Sequence, residues 1–378
     1  MTEAIALYVH WPYCARICPY CDFNVVRARG REGEAEVLFE AIIADLAAQA
    51  ALVGPGPLAS IFLGGGTPSL MSPAHVERLI DAATSHFSAT PDLEISLEAN
   101  PTDAETARFR ALQGAGVNRL SLGLQSLDDE ALVQLGRNHS AGEGLRAAEV
   151  ALEVFDRVSA DLIYARPHQS LEQWSRELER TVALGFEHLS PYQLTIEPGT
   201  AYGRMASRGQ LIPPGEDMAA QFFELTQSLL SARGFEAYEV SNHARGAGAR
   251  ARHNMHVWRG GAYMGIGPGA HGRLALEGRT ATLTHRAIRD YVEAAREGPA
   301  FAQVTALSDA DAAEERVLLA MRTLEGAQLA DLETLCGSPV PSLAPLVDEG
   351  FLRIEDGRVI ATGKARPVLD AVMAALLA

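Results

Sequence analysis

The chain has 378 residues, 47% hydrophobic and 21% charged, with a formal net charge of −16 at pH 7. That composition fits a globular protein able to bury a large core and to form two or three domains. It excludes a membrane span, because no apolar run approaches the roughly 18–20 residues one needs, and it argues against sequence-independent nucleic-acid binding, which rests on basic patches over phosphates. The opening "MTEAIALYVH" has no basic segment before an apolar stretch, so no secretory leader is expected. Lys364 is the only lysine, which argues against a Schiff-base enzyme. Of the four cysteines, Cys14, Cys18 and Cys21 cluster and Cys336 stands apart; this predicts a metal site in a reducing, cytoplasmic setting rather than a disulfide framework.

In chain order, short β-rich runs recur: "IALYVH", "SIFLGG", "LEISLEA", "RLSLGLQS", "RVSADLIYA" and "HLSPYQLTI". Helical patterns such as "EAEVLFEAIIADLAAQAALV" and "SPAHVERLIDAATSHF" lie between them. Ser72 before Pro73 reads as an N-cap with Pro at N1, and Thr102…Glu105 and Ser170…Gln173 read as capping boxes. The alternation predicts an α/β fold: a right-handed parallel sheet curled into a partial barrel of about six units. A full eight-fold barrel would need the later "FEAYEVS" and "AYMGIGPG".

In such folds chemistry sits at the C-terminal ends of the strands. Those ends carry His10, "GGGTP" at Gly64–Pro68, Glu98 and Asn100, Gln125, Asp161, then Tyr192 and Gln193. Any one of these residues alone could simply cap the next helix; a run of consecutive strands ending this way points to a site. The loop "WPYCARICPYCDFN" follows the first strand and opens on the same face. Its C-x3-C-x2-C spacing supplies three thiolates. Zinc remains one reading, with His10 as fourth ligand. The other is a 4Fe–4S cluster with one iron open for chelation, in which Pro12 and Pro19 stiffen the loop and Trp11, Tyr13, Tyr20 and Phe23 exclude water.

The last third changes character. Three helical stretches from about Asp309, then a hairpin turned at Asp356-Gly357, predict a winged-helix-like domain. Its acidity argues against DNA binding, so it is read as a cover for the barrel's open side or a docking element. Cys336 is expected to be a small buried hydrophobe.

The cysteine spacing together with "GGGTP" resembles the radical S-adenosylmethionine (SAM) superfamily. "SLEANP", "SLGLQS", "DLIYARP" and "LSPYQLTIEPGT" extend the resemblance to the branch holding oxygen-independent coproporphyrinogen III dehydrogenases and HemW-type haem chaperones. The resemblance implies a 4Fe–4S cluster on Cys14, Cys18 and Cys21. It implies SAM contacts by Tyr8, Tyr20, Gly65, Gly66, Thr67, Glu98, Gln125, Arg137 and Asp161. The branch often has Gly-Leu-Pro after "DLIY", where this chain has Ala165-Arg166-Pro167. The dehydrogenases carry a further cysteine where this chain has Phe23, and the chaperones, like this chain, do not. "RHNMHVW" resembles the chaperones' His-Asn-x-x-Tyr-Trp, which implies haem binding by His253, Asn254 and Trp258, with Val257 replacing the tyrosine. His256 is an additional imidazole read as making ordinary hydrogen bonds, and His271 lies in "GIGPGAHG", expected to close the cavity.

The expected organisation is a partial radical SAM barrel over residues 1–240, a haem-motif segment over 241–305 and the winged-helix-like domain over 306–378. The expected function is a haem chaperone that carries a 4Fe–4S cluster with exchangeable SAM. The alternative is a radical SAM oxidase or decarboxylase of a tetrapyrrole, and whether the chain is an enzyme stays open. Implied partners are haem-accepting proteins such as respiratory cytochromes, a haem donor such as bacterioferritin, a reductant protein and a second copy in a homodimer. No nucleic acid and at most peripheral membrane association are expected.

Overall fold

The computed structural model describes residues 3–378, apart from the side chains of Asp103 and Ala104; the first two residues of "MTEAIALYVH" lie outside it. Six strands follow one another as parallel neighbours: β1 Ile5–Trp11, β2 Pro57–Gly65, β3 Ser88–Ala99, β4 Arg119–Gln125, β5 Arg157–Tyr164 and β6 His188–Gln193. Between them run α1 Glu32–Val53, α2 Pro73–His86, α3 Phe109–Gly114, α4 Ala141–Val154 and α5 Leu171–Ala183, and α6 Glu216–Ala232 follows β6. This is the expected α/β partial barrel. Its strands are apolar because helices cover the sheet from outside: every residue of β4 but the last is buried.

Local chemistry sets the helix starts. Ser72 accepts from the His75 N–H ahead of Pro73, and Ser170 and Gln173 form a complete capping box at α5. At Thr102 the box is half made: Thr102 Oγ1 accepts from the Glu105 N–H, but the Glu105 carboxylate also takes Ser69 Oγ and the Asn100 N–H. On α1, Phe39, Ile42 and Leu46 are each 0% exposed and pack onto the sheet; such side chains each contribute about 1.5–3 kcal/mol.

The sheet continues past β1. "AYMGI" forms β7 Ala262–Ile266, parallel to β1, and is followed by an antiparallel meander of β8 His271–Ala275, β9 Arg279–Thr284 and β10 Phe301–Ala306. In "FEAYEVS" Glu236–Ala237 pairs, antiparallel, at the opposite edge, and Glu239 makes an isolated antiparallel bridge to Thr323. The 12-stranded sheet therefore ends in two edges.

The C-terminal segment builds a second core from Val317 to Leu376. Its element order is helix Asp309–Ala320, strand Ala327–Gln328, helices Leu329–Cys336 and Leu343–Asp348, strands Leu352–Glu355 and Arg358–Ala361, then helix Leu369–Leu376. Asp356 (φ 48°) and Gly357 (φ 72°) turn that hairpin as the sequence predicts. Cys336 is only partly buried, with Sγ 3.8 Å from the Leu376 carbonyl. Arg322 joins the two cores by a 2.7 Å ion pair to the buried Glu239 beyond the barrel. Among the described residues no helix is long and apolar enough to cross a membrane.

Candidate functional site

β1 leads straight into the cysteine loop, and backbone bonds fix where that loop lies. Gly66 N–H donates to the Trp11 carbonyl (2.8 Å) and Thr67 N–H to the Tyr13 carbonyl (2.9 Å), so "GGGTP" is laced to the segment entering Cys14. Gly65 holds φ 103°, and a Cβ there would sit 2.5 Å from His10 Nδ1; only glycine fits. Cys14 is buried, Cys18 and Cys21 are partly exposed, and none is in a disulfide. Burial raises the Cys14 thiol and pushes Cys21 up to about 11, and neighbouring thiolates add to both shifts. Ionising such a group of thiols needs a cation. Arg137 Nη1 donates to Cys18 Sγ at 3.4 Å.

The donor set decides between the metals. His10 has no nitrogen to spare: Nε2 pairs with the Asn24 carbonyl and Nδ1 with the Tyr8 hydroxyl, both at 2.9 Å. Among the described residues no three His, Cys, Asp or Glu side chains converge as a single-ion site. Three thiols without a fourth protein donor fit a 4Fe–4S cluster better than a closed zinc tetrahedron. Trp11 and Tyr13 are buried as expected of a shield, but Phe23 is 60% exposed. It sits on a rim between two cavities and lines both.

The first cavity, of about 450 Å³, lies inside the barrel mouth next to Cys14 and Cys21. Tyr20, Gly65, Gly66, Thr67, Glu98, Gln125 and Asp161 all line it, although they span much of the barrel sequence. The structure thus brings together seven of the nine residues assigned to SAM. Glu98 accepts the Gly65 N–H at 3.0 Å. Burial, then the nearby Asp161 charge, raises its carboxyl from 4.5 to about 7. Asp161 is also raised by burial, tempered by hydroxyls of Ser121, Ser190 and Ser159. Arg137 stands behind the wall, bonded to Asn100 Oδ1 and the Gly123 carbonyl, and Asn100 donates to Thr67 Oγ1 at 3.0 Å. Its place is between this wall and Cys18.

Tyr8 faces a second cavity of about 550 Å³. Phe62, Val257, Trp258 and Tyr263 give it apolar walls; His253, Asn254, His271 and Arg286 give it polar groups; Asp22 and Phe23 line both cavities. His253 belongs to α7 Arg252–Trp258, and a barrel carboxylate holds that helix start in place. Glu94 accepts the His253 and Arg252 N–H groups at 3.0 Å and Arg157 Nη1 at 2.6 Å. Burial alone would raise Glu94, but Arg119, Arg157 and these N–H groups hold it below its usual range. Ser60 Oγ meets His253 Nδ1 at 2.9 Å, and Phe62 packs on the ring at 5.0 Å. Burial lowers His253 to about 4, so the imidazole is neutral, and among the described residues nothing bonds its Nε2. Trp258 Nε1 is buried without a partner among them. His256 turns away, Nε2 on the Ala262 carbonyl at 2.7 Å. His271 is exposed at the mouth.

Sequence reasoning missed Ser60, Glu94, Phe62, Tyr263 and Arg286. It also missed Asn24, whose Nδ2 donates to the Pro268 and Arg286 carbonyls and so ties "CDFN" to the glycine-rich "GIGPG" turn. At Ala165-Arg166, Ala165 adopts φ 56°, a backbone suited to the glycine usual there, and Arg166 forms a 2.7 Å buried pair with Glu177.

Comparison with known proteins gives concordant matches. Residues 8–180 match the profile of the radical SAM superfamily. The chain is 36% identical over 378 residues to the heme chaperone HemW of Mycobacterium tuberculosis, covering 99% of this chain and 95% of that protein. It is 45% identical over 274 residues to radical S-adenosyl methionine domain-containing protein 1, mitochondrial, of Mus musculus; that match covers 72% of this chain but only 61% of the mouse protein. Escherichia coli coproporphyrinogen III oxidase HemN superposes with a TM-score of 0.82 at 21% identity, over 99% of this chain and 90% of that one, a likeness of fold.

Proposed function

The chain belongs to the radical SAM superfamily, within the HemW-like family it matches end to end, and from that premise we propose that it is a haem chaperone. Cys14, Cys18 and Cys21 would hold a 4Fe–4S cluster, leaving one iron for SAM. When bound, that cluster supplies a chelating iron and a one-electron donor beside the cavity. Gly65, Gly66 and Thr67 would offer backbone to the methionine part. Glu98, Gln125 and Asp161 would take its hydroxyl and ammonium donors, with Tyr20 as a wall, while Arg137 and Tyr8 would act from behind.

The observation that carries the haem assignment is the second cavity. It pairs apolar and aromatic walls with the neutral imidazole of His253, whose Nδ1 is held by Ser60 and whose Nε2 has no partner among the described residues; of the two other histidines that line it, His10 has both nitrogens taken and His271 lies exposed at the mouth. That arrangement would let His253 hold the haem iron, since the other ring nitrogen is already fixed. Trp258 would pack on the porphyrin, and Asn254 and Arg286 would receive its carboxylates. Val257 adds an apolar contact where a tyrosine is usual. The shared Asp22–Phe23 rim would let cluster and SAM occupancy influence the haem cavity. Haem delivered here would pass to haem-accepting proteins such as respiratory cytochromes.

A haem titration of wild type and His253→Ala tests this. The variant is expected to show a shifted Soret band and weaker binding while keeping its cluster iron. An unchanged spectrum and affinity would sink His253 as ligand.

A further inference from the structure

Cys18 and Cys21 also face outward, into an open groove of about 880 Å³ on the other side of the cysteine loop. We infer that this groove is the docking surface for an acidic one-electron carrier protein; the inference rests on reading Cys14, Cys18 and Cys21 as cluster ligands. Charge is the first argument. The chain carries a net −16, yet among the described residues no Asp or Glu lines this groove, whereas Arg16, Arg27 and Arg204 stand exposed on it. Arg166 also reaches it but is neutralised by Glu177. An acidic protein is repelled by the molecule as a whole and attracted at this patch, so the field selects both encounter and orientation.

The surface between the arginines is the second argument. Val133 is 76% exposed, Ile212 71% and Met205 37%, and all three line the groove. Exposed large apolar side chains inside a charged rim mark a small interface that forms and parts readily. Position is the third. Cys14 is buried and the inner cavity faces the barrel mouth, so the groove is where a carrier's redox group approaches the thiols of Cys18 and Cys21 closely. The step moves one electron: the carrier's reduced flavin is oxidised by one electron and the cluster is reduced by one.

The test uses the full chain with its reconstituted cluster and, as probe, a reduced flavodoxin, an acidic carrier with a single FMN. Cluster bleaching is followed by anaerobic stopped flow and binding by titration, each at low and high salt. In R16E/R27E/R204E, bleaching by the carrier should slow and the Kd should weaken by about tenfold or more, with the wild-type salt dependence lost. Ile212→Ser should weaken binding severalfold without altering that salt dependence. Bleaching by dithionite, too small to need the groove, should be unchanged in both variants, which also shows that they retain fold and cluster. Carrier rates and Kd unmoved by the charge reversals would overturn the docking surface. Wild type with no dithionite-bleachable chromophore would overturn the cluster reading, and the docking surface with it.

Discussion

Glu98 gives a pH dependence with a defined sign. Its carboxyl lies in the first cavity, raised from 4.5 to about 7 by burial and by Asp161, with the Gly65 N–H and Arg119 pulling the other way. In the free protein Glu98 is therefore half protonated near neutrality. SAM carries an ammonium and a sulfonium, and either favours the ionised carboxylate. If binding uses that form, its strength follows the ionised fraction, about 0.1 at pH 6 and 0.9 at pH 8, so affinity should improve roughly tenfold over that window. The same raised value affects stability in the opposite sense. The folded state holds a proton that the unfolded chain has released, so the contribution is full below about 4.5 and is lost as pH rises through about 7. The difference amounts to ~3 kcal/mol. The assay is calorimetric titration of SAM into cluster-loaded protein at three pH values, alongside Glu98→Gln. The variant should bind SAM more weakly at pH 8 and with a flat profile. A flat wild-type profile, or an unchanged slope in Glu98→Gln, would refute the reasoning.

Replacing any of Cys14, Cys18 or Cys21 by Ser should abolish iron and sulfide uptake on anaerobic reconstitution, whereas Cys336→Ser should leave both intact; full iron in Cys18→Ser would contradict the assignment. Glu94→Ala strands a part-buried Arg157 and two helix N–H groups, so it should cost about 3 kcal/mol in urea unfolding at unchanged m-value and weaken haem binding through His253. Because Glu94 is held low by Arg119 and Arg157 against its burial, its stabilisation is present above the unfolded carboxylate value and fades as pH falls, a fade the variant should lack. Ala165→Gly should raise stability by up to about 1 kcal/mol, since φ 56° suits glycine; a loss would show that the alanine methyl packs usefully.

Much of the barrel was legible because parallel strands buried on both faces are written as apolar runs between capped helices. Their C-terminal ends announce themselves by turning polar, which is how Glu98, Gln125 and Asp161 could be assigned to one mouth. The residues that position His253 were not legible. Ser60 and Glu94 sit within strands and meet α7 from 193 and 159 residues away in sequence, so nothing local marks them. Tyr8 is grouped with Glu98 by the resemblance alone, and it lines the second cavity instead, with its hydroxyl 2.9 Å from His10 Nδ1. Phe23 reads as an apolar shield, but it is exposed beside Asn24, which is clamped to the turn at Pro268 by a contact across 244 residues.

The most direct test of the account places wild-type protein, with its full cluster, SAM and a reductant, in parallel anaerobic incubations with haem and with coproporphyrinogen III. Stoichiometric haem binding with a His253-dependent Soret band, and no decarboxylation of the porphyrinogen, is the predicted result. Enzymatic turnover of coproporphyrinogen III to protoporphyrinogen IX would contradict the chaperone reading and establish a tetrapyrrole oxidase in its place.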